Sequence, residues 1–154
     1  MHADPDVAYW LGGPMPEASA AALFDSTRRA LVVNGWGIWA VQDEEGGLVG
    51  AAGLQPVRQG LPGAPGVEAA WRLIPAARGK GLVTRAMQAV LADGFAKLEM
   101  PEIVTFTAQT NHASQAVMQR LGFRRDAARD FDHPALAEDH PLRRHVFYAM
   151  ARRR

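Results

Sequence analysis

The chain has 154 residues, of which 48% are hydrophobic and 21% are charged, and these proportions exclude a disordered tail, a coiled coil and a fibrous protein. It contains no cysteine, which excludes disulfides, thiolate metal sites and a cysteine nucleophile. We expect a single domain over residues 1–154. With no long apolar run and no basic, apolar leader, the sequence predicts a cytoplasmic protein that does not enter a membrane.

Charge is distributed unevenly along the chain. The 17 basic and 16 acidic residues give a net charge of +1. Residues 1–77 contain 4 Lys or Arg and 8 Asp or Glu, whereas residues 78–154 contain 13 and 8. The basic second half suits a ligand that carries phosphates. A nucleic-acid surface is usually more basic and interleaved with aromatic residues, so we predict no nucleic-acid partner.

The predicted elements follow in chain order. Apolar spacing predicts a helix over 17–33, and a hairpin follows with strands over 38–41 and 48–54. A glycine- and proline-rich stretch over 55–66 indicates a mobile loop. The later elements are a strand over 67–74, a long helix after 81, a strand over 103–107, a helix over 111–121, a loop over 126–141 and a strand over 144–151. This order predicts a mixed sheet with helices on its faces.

A glycine-containing turn, Arg78-Gly79-Lys80-Gly81, leads from a strand into the long helix. The start of a helix presents unpaired N–H groups and the positive end of the macrodipole, which suits a phosphate or pyrophosphate. Two nucleotide motifs do not fit. A P-loop needs Ser or Thr where Gly81 stands, and a dinucleotide fingerprint needs glycine where Thr84 stands. The alternative is an ordinary helix start with a flexible entry.

The turn also resembles the signature of the GNAT superfamily of acyl-CoA-dependent N-acyltransferases. That signature is Arg or Gln, two residues, Gly, one residue, then Gly or Ala, and here it reads Arg78-Gly79-Lys80-Gly81-Leu82-Val83, with Val83 departing at the last position. Other segments are similar to the RimJ/RimL-like branch: residues 67–73, Asn111 to Ser114, Leu121-Gly122-Phe123 and 130–143. The resemblance implies the GNAT fold, an α/β (α+β) architecture with a mixed, mostly antiparallel central sheet and helices on both faces.

The start of the chain departs from the family pattern. Members usually carry an extra strand and part of a helix before a segment like residues 3–7, and the sequence shows no such start. Either the sequence is truncated or the sheet lacks its first strand. The second alternative leaves a sheet edge uncovered and favours a partner chain or insolubility. The oligomeric state therefore stays open, with a homodimer among the alternatives.

The resemblance implies acetyl-CoA as the co-substrate, and the irregular spacing of the histidines predicts no metal. Arg78 and Lys80 would add positive charge beside the CoA pyrophosphate. The third strand would splay from the next, so that pantetheine lies between them near main-chain groups of Leu73 and Ile74. The pyrophosphate itself would be bound by the backbone amides of the turn and helix start, which belong to Gly79, Gly81, Leu82, Val83 and Thr84.

Two side chains are candidates for catalysis. Glu68 is the candidate general base, directly or through water, because a carboxylate within a strand is costly to bury and burial raises its pKa; the alternative is a surface carboxylate or a salt bridge to Arg72. Many family members place a proton-donating tyrosine where Met118 stands here. With methionine at that position, the nearby hydroxyl group is that of Ser114. Ser114 would donate the proton or anchor the pantetheine, and the alternative is an ordinary serine at a helix start. Asn111 would bind the cofactor or the serine, or simply begin the helix.

The acceptor side of the site is predicted less sharply. Asp132 and His133 would line the amine side, because an acidic group attracts an ammonium. Trp36 and Trp39 would form an apolar wall, with core packing as the alternative. Histidines in this region lack a regular metal-binding spacing, and no serine lies in a Gly-x-Ser-x-Gly elbow.

The sequence therefore predicts an acetyl-CoA-dependent N-acetyltransferase. It would move an acetyl group to a primary amine, of a protein N-terminus or a small molecule, by direct attack on the thioester. The alternative is a GNAT-like module that binds acyl-CoA or a partner and has lost catalysis. A protein N-terminus, an amino acid, a polyamine and an aminoglycoside all remain open as acceptors.

Overall fold

The computed structural model describes residues 3–152. Its helices are α1 (Pro5–Tyr9), α2 (Glu17–Asn34), α3 (Leu82–Lys97) and α4 (His112–Leu121). Its strands are β1 (Ile38–Gln42), β2 (Leu48–Pro56), β3 (Val67–Leu73), β4 (Glu102–Ala108), β5 (Arg124–Arg125), β6 (Phe131–Asp132) and β7 (Arg144–Ala151). Every long element predicted from the sequence is present. The three unpredicted ones, α1, β5 and β6, are too short to show a hydrophobic period.

The strands form one mixed, mostly antiparallel sheet in the order β1-β2-β3-β4-β7-β5, with β6 also paired to β7. Only β3 and β4 are parallel among the described pairings. That pairing has a single registered pair, Glu68 with Val104, whereas β2 and β3 share seven. The two central strands therefore diverge beyond Glu68 and leave a gap in the middle of the sheet.

Side-chain alternation separates two faces of the sheet. On β7, Val146 and Tyr148 belong to the main core, while Phe147 between them belongs to a smaller cluster. The main core also contains Met87 of α3 and Met118 of α4, so these helices cover the first face. The smaller cluster lies on the second face and consists of Val57, Leu61, Val104 and Phe147.

The helix predicted over 17–33 is confirmed as α2, but it packs loosely. None of its residues is buried, and Phe24 is 66% exposed. Its neighbour β1 is an outer strand of the sheet. The apolar spacing of α2 therefore predicted the helix correctly without predicting how little of it the rest of the described chain covers.

Two segments predicted as loops are tied to the second face. In the first segment, over 55–66, β2 continues to Pro56. Val57 and Leu61 are buried, and the Val57 amide donates to the Gly66 carbonyl at 2.9 Å. In the second, over 126–141, β6 pairs with β7, and the carboxylate of Asp130 accepts a hydrogen bond from the Phe147 amide at 2.9 Å. These loops build walls above the sheet, and the first is not the free segment that its glycines and prolines predicted.

Candidate active site

A cleft of about 800 Å³ opens over the second face of the sheet. The α1–α2 connection, α2 and the segment around 133–142 line it, and Gly12 of the connection adjoins Leu136 of that segment. Its floor is formed by β3 and β4, where side chains of alternate residues share a face. The side chains that carry chemistry on its walls and floor are Arg58, Glu68, Arg72, Ser114, His133 and His145.

Glu68 lies on this floor, at the one registered pair between β3 and β4. Its Oε2 accepts a hydrogen bond from Nε2 of Gln55, directly across on β2, at 3.0 Å. Burial raises the pKa of Glu68 from its ordinary value of 4.5 to about 7, although the hydrogen bond from Gln55 and the charges of Arg58 and Arg72 oppose the rise. A carboxyl group with this pKa is half ionised at neutral pH and can both accept and release a proton.

One backbone amide at the end of β3 faces the gap where β4 diverges. The Ile74 amide donates to the Val49 carbonyl at 3.0 Å, so it points at β2. Because successive N–H groups of a strand point to opposite sides, the Leu73 amide points away from β2, into the gap. Of the two residues predicted to face pantetheine, Leu73 has the suitable orientation and the Ile74 amide is already used within the sheet.

The predicted pyrophosphate turn has the backbone shape of an anion site. Gly79 and Gly81 adopt φ values of 78° and 72°, and a Cβ on either would meet no heavy atom within 4 Å. Gly81 begins α3, and no side chain of the described residues caps the helix there. Open glycine backbone and uncapped N–H groups suit a pyrophosphate.

The flanking residues of this turn divide between solvent and core. Arg78 and Lys80 are exposed, and Nη2 of Arg78 lies 3.5 Å from the Leu73 carbonyl oxygen. Leu82 and Val83 are buried in the main core, and Thr84 is half-buried. Val83, which departs from the family signature, therefore directs its bulk into the core, away from the exposed turn.

Asn111 and Ser114 lie at the start of α4, on the cleft wall. The Asn111 side chain is fully engaged: Oδ1 accepts from the Ser114 amide at 3.2 Å, and Nδ2 donates to Oγ1 of Thr107 at 3.1 Å. The Ser114 hydroxyl makes no hydrogen bond within residues 3–152. Asn111 therefore positions the serine. Met118, one turn further on, is buried in the core and offers no proton.

Two of the four predicted acceptor-side residues, Trp39 and Asp132, lie outside the cleft in the structure. Trp36 lines the cleft, whereas Trp39 lies over the other face of the hairpin, near Leu82 and Val90. Asp132 is exposed and pairs with Arg144 at 3.3 Å and Arg143 at 3.9 Å, outside the cleft lining. Its carboxylate is thus held by two guanidinium groups instead of facing the acceptor.

The fourth, His133, lines the cleft and lies against His145 of β7, with ring centroids 5.0 Å apart. Nδ1 of His133 accepts from the Ala135 amide, and Nδ1 of His145 lies 3.1 Å from the Arg143 carbonyl oxygen. Burial lowers the pKa of both rings below the ordinary value of 6.5, which favours their neutral forms. Within residues 3–152 no group of three or more His, Cys, Asp or Glu side chains could hold a metal ion.

The sequence did not predict Arg58 or Gln55 as site residues, and it indicated His145 only as a possible metal ligand of irregular spacing. Both Gln55 and His145 could have been found from the alternation of side chains along a strand. Gln55 lies opposite Glu68 on β2, and His145 lies two residues before Phe147 on β7, on the same face of the sheet. Arg58 gave no periodic signal, since it lies in a loop whose path depends on the burial of Val57.

The comparisons with known proteins agree with this geometry. Residues 1–124 match the family described as "Acetyltransferase (GNAT) domain". A structure described as a GNAT-family acetyltransferase of Bordetella pertussis is 29% identical, with a TM-score of 0.72 over 89% of this chain and 78% of that one. A phosphinothricin acetyltransferase of Sinorhizobium meliloti, solved with acetyl-CoA, is 22% identical, with a TM-score of 0.71 over 94% and 74%.

A ribosomal-protein-S5-alanine acetyltransferase of Vibrio fischeri is 18% identical, with a TM-score of 0.68 over 90% of this chain and 73% of that one. At 22% and 18% identity, the last two similarities establish the fold alone. No helix within residues 3–152 is long and apolar enough to cross a bilayer. The family match over most of the chain, together with the fold and the glycine turn, shows that the chain belongs to the GNAT acetyltransferase family, the acetyl-CoA-using N-acetyltransferases that act on amine-bearing substrates.

Proposed function

We propose that this protein transfers the acetyl group of acetyl-CoA to a primary amine held in the cleft, by direct attack of the amine on the thioester. The observation that carries the proposal is the position of Glu68, a half-buried carboxyl group with a pKa of about 7 at the point where β3 and β4 begin to diverge. A base poised near neutral pH can deprotonate an ammonium without being permanently protonated itself.

The step balances with few groups. The substrate ammonium gives one proton to the Glu68 carboxylate, directly or through water, and the neutral nitrogen forms a bond to the acetyl carbon. The bond between that carbon and sulfur then breaks, and the second proton of the attacking nitrogen ends on the leaving thiolate. The Leu73 amide, directed into the gap, would donate to the carbonyl oxygen as negative charge develops there.

On the cofactor side, the proposal assigns the pyrophosphate to the turn of Arg78, Gly79, Lys80 and Gly81 and to the first amides of α3. Ser114 would contact the pantetheine or the departing sulfur, because Asn111 binds its backbone amide at the cleft wall and leaves its hydroxyl unused within residues 3–152. The motifs at 111–114 and 121–123 support a place near the RimJ/RimL-like branch.

The first test is calorimetric titration with acetyl-CoA of the wild-type protein and of Gly81→Ala. We expect micromolar binding for the wild type and binding at least about tenfold weaker for Gly81→Ala, because an alanine Cβ would enter the space next to the turn and strain a left-handed backbone. Gly35→Ala is the matched control, since Gly35 has a φ of 71° and equally open surroundings but follows the end of α2 and is not part of the turn that begins α3.

Both variants should lose about 1–2 kcal/mol of stability from the same backbone strain. A thermal melt checks that their stabilities are equal, so that any difference in affinity comes from the binding site. Equal affinities for Gly81→Ala and Gly35→Ala would remove the turn from the cofactor site. Binding of acetyl-CoA without turnover toward any amine would support the non-catalytic alternative.

A further inference from the structure

The charged residues that line the cleft are mostly basic, although the first half of the chain, which supplies most of the lining, is acidic overall. Residues 1–77 contain 4 basic and 8 acidic residues. Of these, two basic residues, Arg58 and Arg72, line the cleft, but only one acidic residue, Glu68, does so. No residue from the basic second half adds an Arg, Lys, Asp or Glu to the described lining. The acceptor side therefore presents two guanidinium groups against one carboxyl group that is half ionised at neutral pH.

Arg58 is the more available of these two guanidinium groups. It forms no ion pair or side-chain hydrogen bond with any residue in the described part of the chain, 3–152. Its charge nevertheless acts on both Glu68 and His133, lowering the pKa of each. Its side chain therefore lies within electrostatic reach of the proposed base and of His133.

The backbone that carries Arg58 is held in place. Val57 before it and Leu61 after it are both buried in the second-face cluster, and the Leu61 amide donates to the Arg58 carbonyl at 3.1 Å. A charged side chain on an anchored backbone can recognise a ligand without first ordering a loop.

Arg58 is also remote from the phosphates of CoA in the proposed binding mode. The loop with Arg58 enters β3 at Val67, whereas the turn at Gly79–Gly81 follows the other end of the strand, beyond Leu73. A seven-residue strand spans about 20 Å. An anion recognised by Arg58 therefore belongs to the acceptor and not to the CoA pyrophosphate.

We propose that the acceptor is a small amine that carries a carboxylate, of the amino-acid type, and that Arg58 binds this carboxylate while the amine faces Glu68. The inference rests on the proposed function and names its substrate class. The amine and carboxylate of an amino acid are close together. This spacing suits Arg58 and Glu68, which line the same cleft and are near enough for the charge of Arg58 to act on Glu68. Polyamines and aminoglycosides bring several positive charges to two guanidinium groups and are disfavoured by repulsion.

The test compares an amino acid with its own α-carboxamide, two acceptors that share the amine and side chain and differ in the negative charge. The twenty standard amino acids are first screened by release of the CoA thiol, and the best is used. For wild type we expect KM to be lower for the acid than for the amide. Arg58→Ala should raise KM for the acid about 10- to 100-fold, the effect of removing one charge-assisted hydrogen bond, and leave KM for the amide unchanged.

Two variants sharpen the result. Arg58→Lys keeps the charge and should recover part of the lost affinity, and Arg58→Glu should make the amide the better acceptor. Arg124→Ala, which removes an exposed arginine outside the cleft lining, is the matched control and should leave both KM values unchanged. Affinity for acetyl-CoA should be equal in all of these proteins.

The outcomes separate this inference from the proposed function. Turnover of polyamines, aminoglycosides or peptide N-termini in preference to amine carboxylates would overturn the inference and leave acetyl transfer intact. An acid-to-amide ratio unchanged in Arg58→Ala would also overturn it. Calorimetric binding of the amino acid to CoA-loaded protein gives a readout without catalysis: if it depends on Arg58 while turnover is absent, the inference stands and the proposed chemistry fails.

Discussion

Glu68→Gln is expected to lower kcat by about 100-fold or more, because general base catalysis contributes factors of that size and an amide cannot accept the ammonium proton. Glutamine keeps the volume of the side chain and can still bond Gln55, which now approaches Glu68 at 3.0 Å. The measurement is steady-state thiol release at saturating acetyl-CoA. Affinity for acetyl-CoA should be unchanged, since the pyrophosphate turn is distant from Glu68 along β3.

The same substitution has a pH signature. The kcat/KM of the wild type should rise through pH 7 as Glu68 ionises, since its pKa in the folded protein is about 7, and this limb should vanish in Glu68→Gln when the same amine is used. The groups that face Glu68 are Gln55, Arg58 and Arg72. Burial keeps the pKa of His133 and His145 below the ordinary value of 6.5, so a limb from either histidine should lie at lower pH than the limb from Glu68.

The raised pKa also predicts how stability changes with pH. Between pH 4.5 and 7 the unfolded chain has lost the Glu68 proton while the folded chain keeps it, so folding stability falls as pH rises through this window. The group costs the folded state about 3 kcal/mol above pH 7, taking 1.36 kcal/mol for each pH unit between the two pKa values. Glu68→Gln removes that cost. Its free energy of unfolding relative to wild type should therefore increase from pH 4.5 to pH 8 by up to this amount.

Glu44→Gln, in the exposed hairpin turn, is the control for both measurements and should change neither rate nor pH dependence. An unchanged rate for Glu68→Gln, together with a retained limb at pH 7, would contradict the assignment of Glu68 as the base. A pH-independent difference in stability would instead contradict the burial of its carboxyl group.

Gly53→Ala is expected to destabilise the protein by about 3 kcal/mol or more, at the upper end of the cost of overpacking a well-packed core. Gly53 is buried on β2 opposite Ile38 of β1. A Cβ there would lie 2.0 Å from the Gly37 carbonyl oxygen and 2.6 Å from Cα of Ile38. Both obstacles are backbone atoms, so β1 has to move, and the hydrogen bond from the Leu54 amide to the Gly37 carbonyl at 3.0 Å is strained.

Thermal and urea unfolding measure this effect, and a loss of that size lowers Tm by roughly 6–12 °C for a chain of this length. Gly46→Ala, in the turn of the same hairpin, is the matched control: its φ is 82° and nothing lies within 4 Å of the added Cβ, so only backbone strain of about 1–2 kcal/mol applies. Equal losses for the two variants would show that β1 does not approach Gly53 as closely as the structure indicates.

The turn at Gly79–Gly81 and the carboxylate of Glu68 could be proposed as site features from the sequence because their signals are local. Gly79 and Gly81 lie between a strand and a helix, and only that succession of elements was needed to recognise an uncapped helix start. Glu68 was distinctive because a carboxylate interrupts an apolar strand. Asp132 is the opposite case. Its charge was visible in the sequence, but its partners, Arg143 and Arg144, approach it only when β6 pairs with β7, and the order of residues alone does not reveal that pairing.

The sequence by itself determined the long helices and strands, their order and the family of the chain, since hydrophobic period and short motifs depend on neighbours a few residues away. The family resemblance implied that the third strand splays from the next, but tertiary structure alone decided that the divergence begins at Glu68, that α2 buries none of its residues, and that Arg58 lines the cleft. These features depend on contacts between residues far apart in the chain. Strand pairing, burial and the desolvation that raises the pKa of Glu68 exist only once those distant segments have packed together.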